Sequence, residues 1–102
     1  MAFGTDIHME KADEGRLRGK QEEIAVGCWF NSRGETSLQL MKYQDASGEI
    51  HTIRHIQVLH KAEKNYNGIP TLEYVCLMEE EGYQTRIKLI FFLEEHRWVM
   101  IR

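Results

Sequence analysis

After residue 23, the chain consists largely of short runs in which apolar and polar residues alternate. This pattern is typical of β-strands, because successive side chains of a strand point to opposite faces of the sheet. In the longest run, one face carries Tyr83, Thr85, Ile87, Leu89, Phe91 and Leu93. The run Ile24–Phe30 repeats the pattern, and further strands are predicted over residues 37–43, 49–53, 72–78 and 97–101.

Two segments lack this regular alternation. In Ile53–His60 the apolar positions change parity, which fits either a short helix or a strand interrupted by a β-bulge near Arg54 and His55. The β-branched residues of the segment favour the bulged strand. The segment Lys61–Pro70 is polar and contains the pair Asn67-Gly68, so it is predicted to be a loop.

The predicted strands are joined by short turns that contain glycine, such as Asn31–Gly34 and Asp45–Gly48. Short connections between strands indicate antiparallel pairing, and no long helix is predicted. About six short strands around a core of about 80 residues must curl in order to bury one face. We therefore predict an all-β fold, a small, strongly curved antiparallel barrel of about six strands. Two packed three-stranded sheets are the alternative.

The first 23 residues have a different character. They contain ten charged residues and only scattered apolar ones, so they bury too little surface to offset the entropy lost on ordering. We predict a flexible tail over residues 1–23 and a single β-barrel domain over residues 24–102. The dipeptide His8-Met9 is typical of a cloning site that carries the start codon, so Met1–His8 is interpreted as vector-derived, with a native tail as the alternative.

Composition narrows the class of protein. The chain has 102 residues, 42% of them hydrophobic, and a formal net charge of −3, which fits one soluble domain and argues against a strongly basic nucleic-acid binder. Cys28 and Cys76 lie in apolar runs and are expected to be reduced thiols. Because neither an export signal nor a long apolar run is present, we expect a cytoplasmic protein without membrane segments.

Several motifs of the predicted barrel carry a resemblance to known proteins. They are Trp29-Phe30-Asn31-Ser32-Arg33-Gly34, Ile53-x-x-Ile56-x-Val58-Leu59, Tyr74-x-Cys76, and Lys88-Leu89 before Arg97-Trp98. With these motifs the chain resembles a family of short uncharacterised proteins from Gram-positive anaerobic bacteria. The resemblance implies a small antiparallel β-barrel and no assigned activity. The spacing of the last two strands is also similar to that in small proteins that accompany lesion-bypass DNA polymerases, and no functional residue is carried over from either comparison.

No motif of the sequence predicts catalysis or a cofactor. His51 and His55 would lie about 13 Å apart on a strand, too far for one metal ion, and both are expected to be solvated at a sheet edge. No zinc-ligand spacing is present. Burial raises the pKa of a thiol, so the two cysteines are not expected to be nucleophiles. The carboxylates of Glu79–Glu81 are expected to be solvated in a turn. We therefore predict no catalytic, cofactor-binding or metal-binding residue, and no enzymatic activity.

A candidate binding surface is the one functional feature that the pattern predicts. Arg86 and Lys88 form a polar row on one strand, and Trp29 has the opposite parity to its apolar neighbours, so it is expected on the outer face; Arg54 completes the cluster. In the alternative interpretation, Trp29 plugs one end of the barrel, and Arg86 and Lys88 pair with Glu73 across the sheet.

Three functions remain compatible with these observations. The first is a non-enzymatic binding or adaptor domain that recognises a protein partner. The second is an accessory module associated with nucleic acid, in a DNA repair or lesion-bypass context. The third is a structural homo-oligomer that pairs through an edge strand such as Ile24–Phe30. We favour the first function, with nucleic acid as a weaker partner and either a monomer or an edge-paired dimer as the oligomeric state.

Overall fold

The computed structural model describes residues 13–102, which contain seven β-strands and no helix. The strands are β1 (Glu22–Phe30), β2 (Thr36–Gln44), β3 (Ile50–Ile53), β4 (His55–Tyr66), β5 (Ile69–Glu80), β6 (Tyr83–Phe92) and β7 (Arg97–Ile101). No helix in this part of the chain has the length and apolar character needed to cross a membrane. The predicted all-β class is confirmed, with seven strands instead of about six.

All seven strands belong to one antiparallel sheet in the order β3-β2-β1-β7-β6-β5-β4, and the sheet curls strongly into a half-barrel. One end of the barrel, called the lower end here, carries the β2–β3 and β5–β6 turns. The opposite upper end carries the β1–β2, β4–β5 and β6–β7 turns. The two outermost strands, β3 and β4, follow one another along the chain with only Arg54 between them. The two edges of the sheet therefore meet at Arg54 and leave a seam there.

The segment Ile53–His60 is a strand, as predicted. The chain leaves its pairing with β2 at Ile53 and begins its pairing with β5 at His55, which explains the change of parity at that point. The register shift lies between Val58 and His60, so the bulged residue is Leu59 instead of Arg54 or His55.

The predicted loop over Lys61–Pro70 is wrong. β4 continues to Tyr66 and β5 starts at Ile69, and the pair Asn67-Gly68 makes the turn, with φ values of 52° and 80°. Positive φ at both central residues is what a tight hairpin turn requires. β4 is the outermost strand on this side of the sheet, and residues 65–70 lie beyond the part of β5 that pairs with β6, so polar residues are tolerated along the segment.

The main core fills the inner face of the curled sheet. Its fully or nearly fully buried members include Met41, Ile53, Tyr74, Met78, Leu89 and Met100. The sequence predicts that Trp98 is buried in the same cluster as Ile87, Leu89, Phe91, Tyr74 and Ile56, and the structure confirms this, with Trp98 only 8% exposed.

A second, smaller cluster lies on the outer face, where Ile90, Phe92 and Val99 are buried beneath Leu17. Leu17 belongs to residues 13–21, called the strap here. At the start of the strap, Asp13 accepts hydrogen bonds from the backbone N–H groups of the Asn67-Gly68 turn at 3.0 and 2.6 Å. The strap is therefore fastened to the β4–β5 turn at one end and to the outer cluster further along.

The boundary between tail and domain differs from the predicted one at residue 24. β1 already starts at Glu22, which pairs with Met100 of β7. Leu17 is half-buried, and the strap contacts the barrel at both positions described above. The interpretation of Met1–His8 as vector-derived concerns residues outside the described part of the chain.

Candidate binding surface

Trp29 lies near the end of β1 and is 69% exposed. β1 pairs with β7 only over Glu22–Ile24, so Trp29 lies beyond the point where β7 begins. The predicted outward orientation agrees with this exposure, whereas the alternative, in which Trp29 plugs the barrel, does not fit it.

Phe30 is the neighbour of Trp29 and is 49% exposed. Its ring lies 6.1 Å from that of Phe91, measured between centroids, at the rim of the main core. Because consecutive residues of a strand point to opposite faces, the upper end of β1 displays an aromatic ring on each face. Two large apolar side chains are thus exposed at neighbouring positions, one on each face of the strand.

The β1–β2 turn that follows Phe30 is held by its own hydrogen bonds. Asn31 Oδ1 accepts from the backbone N–H groups of Arg33 and Glu35 at 2.9 and 3.0 Å, the arrangement of an Asx turn. Gly34 takes a φ of 79°, which a residue without Cβ adopts at little cost. The turn therefore holds the two aromatic residues in a defined position.

The backbone of β1 beside these residues has a free edge. Within residues 13–102, Ala25–Phe30 pair with β2 only, because β7 does not reach them. Of the other unpaired edges, that of β3 is only four residues long and that of β4 carries the Leu59 bulge. The β1–β2 register shift between Gly27 and Cys28 places its extra residue at Gln39 of β2, so β1 itself has no bulged residue. Bulges make an edge unsuitable for adding a further strand. The regular free edge of Ala25–Phe30, with the Trp29 and Phe30 side chains, is called the β1 surface below.

The other three candidate residues lie elsewhere. Arg54 stands at the seam, Arg86 is opposite Leu77 on β5, and Lys88 pairs with Ile101, all toward the lower end of the barrel. Trp29 is at the upper end. The structure therefore brings Arg86 and Lys88 together on β6, but it does not bring them to Trp29.

The charge of Lys88 is balanced by a buried carboxylate. Lys88 Nζ lies 3.6 Å from Glu73 Oε1, and Glu73 is only 6% exposed. Glu73 also accepts a hydrogen bond from the Tyr66 hydroxyl, and burial together with this carboxylate raises the pKa of Tyr66. The predicted pairing of Lys88 with Glu73 is present. Arg86 is exposed and has no ion pair within residues 13–102.

This balance of charge predicts weak binding to nucleic acid. Residues 24–102 contain nine Lys and Arg against ten Asp and Glu, and phosphate neutralisation supplies most non-specific affinity. We expect no micromolar binding when a labelled mixed-sequence oligonucleotide is titrated at about 150 mM salt and followed by fluorescence anisotropy. Micromolar binding that is abolished by Arg86→Glu with Lys88→Glu, but not by Arg33→Glu, would contradict the expectation.

A polar cluster occupies the lower end of the barrel, where the sequence predicts solvated side chains. His51 Nε2 lies 2.7 Å from Asp45 Oδ2 and His51 Nδ1 lies 2.9 Å from Glu80 Oε2. The Tyr43 ring stacks on the His51 ring at 4.8 Å between centroids, and its hydroxyl donates to Glu80 at 2.8 Å. The expectation of solvated groups is therefore wrong for His51 and Glu80, while His55 is exposed as expected.

The same cluster has some of the residue types of a metal site. Ligand atoms of Asp45, Glu49 and His51 lie within 4.8 Å of one another. However, Asp45 Oδ1 already accepts hydrogen bonds from the Ser47 and Glu49 backbone and from the Ser47 hydroxyl, and Oδ2 faces His51. A metal ion would have to displace these donors at an exposed hairpin. The hydrogen bonds account for the arrangement as a capped turn.

The geometry of the described residues offers little to a nucleophilic mechanism. Cys28 and Cys76 are free thiols, and burial raises the pKa of both, that of Cys76 to about 11. A thiol with such a pKa is almost entirely protonated near neutral pH. Ser47 donates its hydroxyl hydrogen bond to Asp45 within the turn.

Neither a family model nor a curated protein nor a solved structure matches the chain. The resemblance to a family from Gram-positive anaerobic bacteria therefore has no support from these comparisons. The arguments about function below rest on the geometry of this chain.

Proposed function

We propose that the chain is a non-enzymatic binding domain that recognises an extended segment of a protein partner at the β1 surface. The observation that supports this proposal is the position of Trp29: a large, 69% exposed aromatic side chain beside a regular strand edge that pairs with no strand on its outer side within residues 13–102. An added strand satisfies its backbone groups on such an edge, and side chains fix its register.

The energetics of the β1 surface suit a protein partner. Covering the exposed part of Trp29 would contribute about 3–4 kcal/mol before the costs of association. Tryptophan is also among the residues most often found at the energetic centre of interfaces. The neighbouring Phe30 adds a second apolar contact on the other face of the strand. No charged residue occurs between Ala25 and Phe30, so apolar partner side chains meet no unpaired charge on β1.

Other parts of the proposal have their own support. A cytoplasmic location is supported by the two free cysteines, Cys28 and Cys76, since oxidising compartments favour disulfide-rich small domains.

A homo-oligomer is the second candidate function, because the free edge of Ala25–Phe30 could also pair with the same edge of another copy. Sedimentation at two protein concentrations distinguishes this candidate, since only self-association depends on the concentration of the chain alone.

The proposal is tested by selecting peptides from a displayed library of random 12-residue sequences against the immobilised protein. We expect the selected peptides to alternate apolar and polar residues, as an added strand would, and to lose at least tenfold in affinity for Trp29→Ala. Tyr83→Ala is the matched control, because Tyr83 is a 77% exposed aromatic residue at the lower end of the barrel.

Two outcomes would contradict the proposal. One is that no peptide is enriched over a blank surface in repeated selections. The other is that selected peptides bind Trp29→Ala as tightly as the wild type, or lose affinity equally for Tyr83→Ala, since exposed aromatic residues in general would then explain the binding.

A further inference from the structure

The contacts of His51 require a particular protonation state. Both ring nitrogens lie within hydrogen-bond distance of a carboxylate oxygen, Nε2 of Asp45 at 2.7 Å and Nδ1 of Glu80 at 2.9 Å. A neutral imidazole carries one N–H donor, so one of its nitrogens would direct a lone pair at a carboxylate. Only the imidazolium form donates to both.

One of these two contacts joins parts of the barrel that the sheet does not join. His51 belongs to β3 and Glu80 to β5, strands that lie near opposite edges of the sheet. The Nδ1 contact therefore crosses the seam next to Arg54, and the Nε2 contact fixes Asp45, the first residue of the β2–β3 turn. Backbone pairing holds β3 to β2 through four residue pairs only. Across the seam, the hydrogen bonds that Glu80 of β5 receives from this hairpin come from the His51 ring and the Tyr43 hydroxyl.

The groups around His51 favour its charged form. Tyr43 of β2 stacks on the ring and donates its hydroxyl to Glu80. The Arg102 guanidinium lies over the Tyr43 ring, 4.7 Å from its centroid, and forms an ion pair with Glu22 of β1. The titratable and charged residues that line the clefts around the Tyr43–His51 pair and its turn are Lys20, Glu22, Glu23, Asp45, Glu49, Arg54, His55, Glu79, Glu80, Glu81 and Arg102. Carboxylates outnumber cations in this set.

We propose that His51 is a pH-sensitive clasp of the barrel seam: as an imidazolium it holds the β2–β3 hairpin against β5, and its deprotonation releases the hairpin. The proposal is independent of the function proposed for the β1 surface, which lies at the other end of the barrel.

The direction of the pH dependence follows from the contacts. The hydrogen bond to Asp45 raises the pKa of His51 most, the partial burial of the ring opposes this, and Glu80 raises the pKa further. The contribution of the clasp is therefore complete below the ordinary histidine pKa of about 6.5 and is lost as the pH rises through the raised folded value. The same contact lowers the pKa of Asp45, so the Asp45 carboxylate remains a charged partner of His51 below the usual range of an aspartate.

The test uses the full chain. The histidine ring resonances are followed by NMR from about pH 5 to pH 9, which spans the ordinary histidine pKa, and the amide protection factors of Ile50–Ile53 are measured over the same range. We expect His51 to titrate above the ordinary histidine pKa of about 6.5, and the protection of the hairpin to fall several-fold with the His51 titration. His51→Gln should remove this pH dependence, and the matched variant His55→Gln should keep it.

Titration of His51 at or below the ordinary histidine pKa of about 6.5, or hairpin protection that stays constant while His51 titrates, would overturn the proposal. Both results come from the wild-type protein, so they remain decisive even when His51→Gln fails to fold. A hairpin that loses protection with the same pH dependence in His51→Gln would also overturn it, because another group would then be responsible.

Discussion

Replacement of Trp98 by alanine is expected to lower the free energy of unfolding by about 3–5 kcal/mol, a large fraction of the stability of a domain of this size. Trp98 is 8% exposed, and its ring centroid lies 5.0 Å from that of Phe91 and 5.6 Å from that of Tyr74. Its backbone pairs with Ile24 on one side and with Phe91 on the other. The cavity would therefore open where the two halves of the sheet join.

The measurement is urea denaturation followed by far-ultraviolet circular dichroism. Trp29→Ala is the matched control, because it removes the same side chain from a position that is 69% exposed, and its effect should stay within about 0.5 kcal/mol. A loss below about 1 kcal/mol for Trp98→Ala would contradict the assignment of this residue to the centre of the core.

The second large effect concerns the strap. Leu17→Asp is expected to lower the free energy of unfolding by about 2–3 kcal/mol, because the strap would detach instead of burying a charge against Phe92. Detachment limits the cost to the apolar contact of Leu17 and the backbone hydrogen bonds of Asp13. It would also expose Ile90, which is 0% exposed in the wild type, so binding of a hydrophobic dye should increase.

Arg16→Asp is the control for this prediction, since Arg16 is the exposed neighbour of Leu17 and the variant introduces the same aspartate side chain. Its stability should stay close to that of the wild type. Equal stability of Leu17→Asp and the wild type would show that residues 13–21 are dispensable, as expected from the sequence alone.

Local patterns predicted the parts of the fold that are organised locally. The alternation along β6 is visible because one face of that strand is buried in the main core from Ile87 to Phe91. The parity change near Arg54 was also informative, because the strand switches its partner there. In both cases the burial of one face of the strand determines which positions along the sequence are apolar.

The same reasoning failed where burial does not dictate the pattern. β4 is the outermost strand and is mostly exposed, so residues 61–65 are largely polar although they form a strand, and composition alone suggested a loop.

The polar cluster and the strap depend on contacts between residues far apart in the sequence. His51 and Glu80 are separated by 29 positions, and Asp13 and Gly68 by 55. No local signal marks these residues as partners, because histidine, aspartate and glutamate are common in solvated turns. Of the four predicted surface residues, only Arg86 and Lys88 were placed together, since they alone share a strand.

The order of strands along the sheet also determines how the entropy of chain closure is distributed. Five of the six ladders join strands that follow one another in the sequence, and only the pairing of Glu22–Ile24 with β7 joins the two ends of the domain. Closing that long loop costs about 2 kcal/mol more than closing a short hairpin loop. We therefore expect the neighbouring hairpins to form first during folding and the β1–β7 ladder to form last, because this order keeps the entropic cost of each new contact lowest.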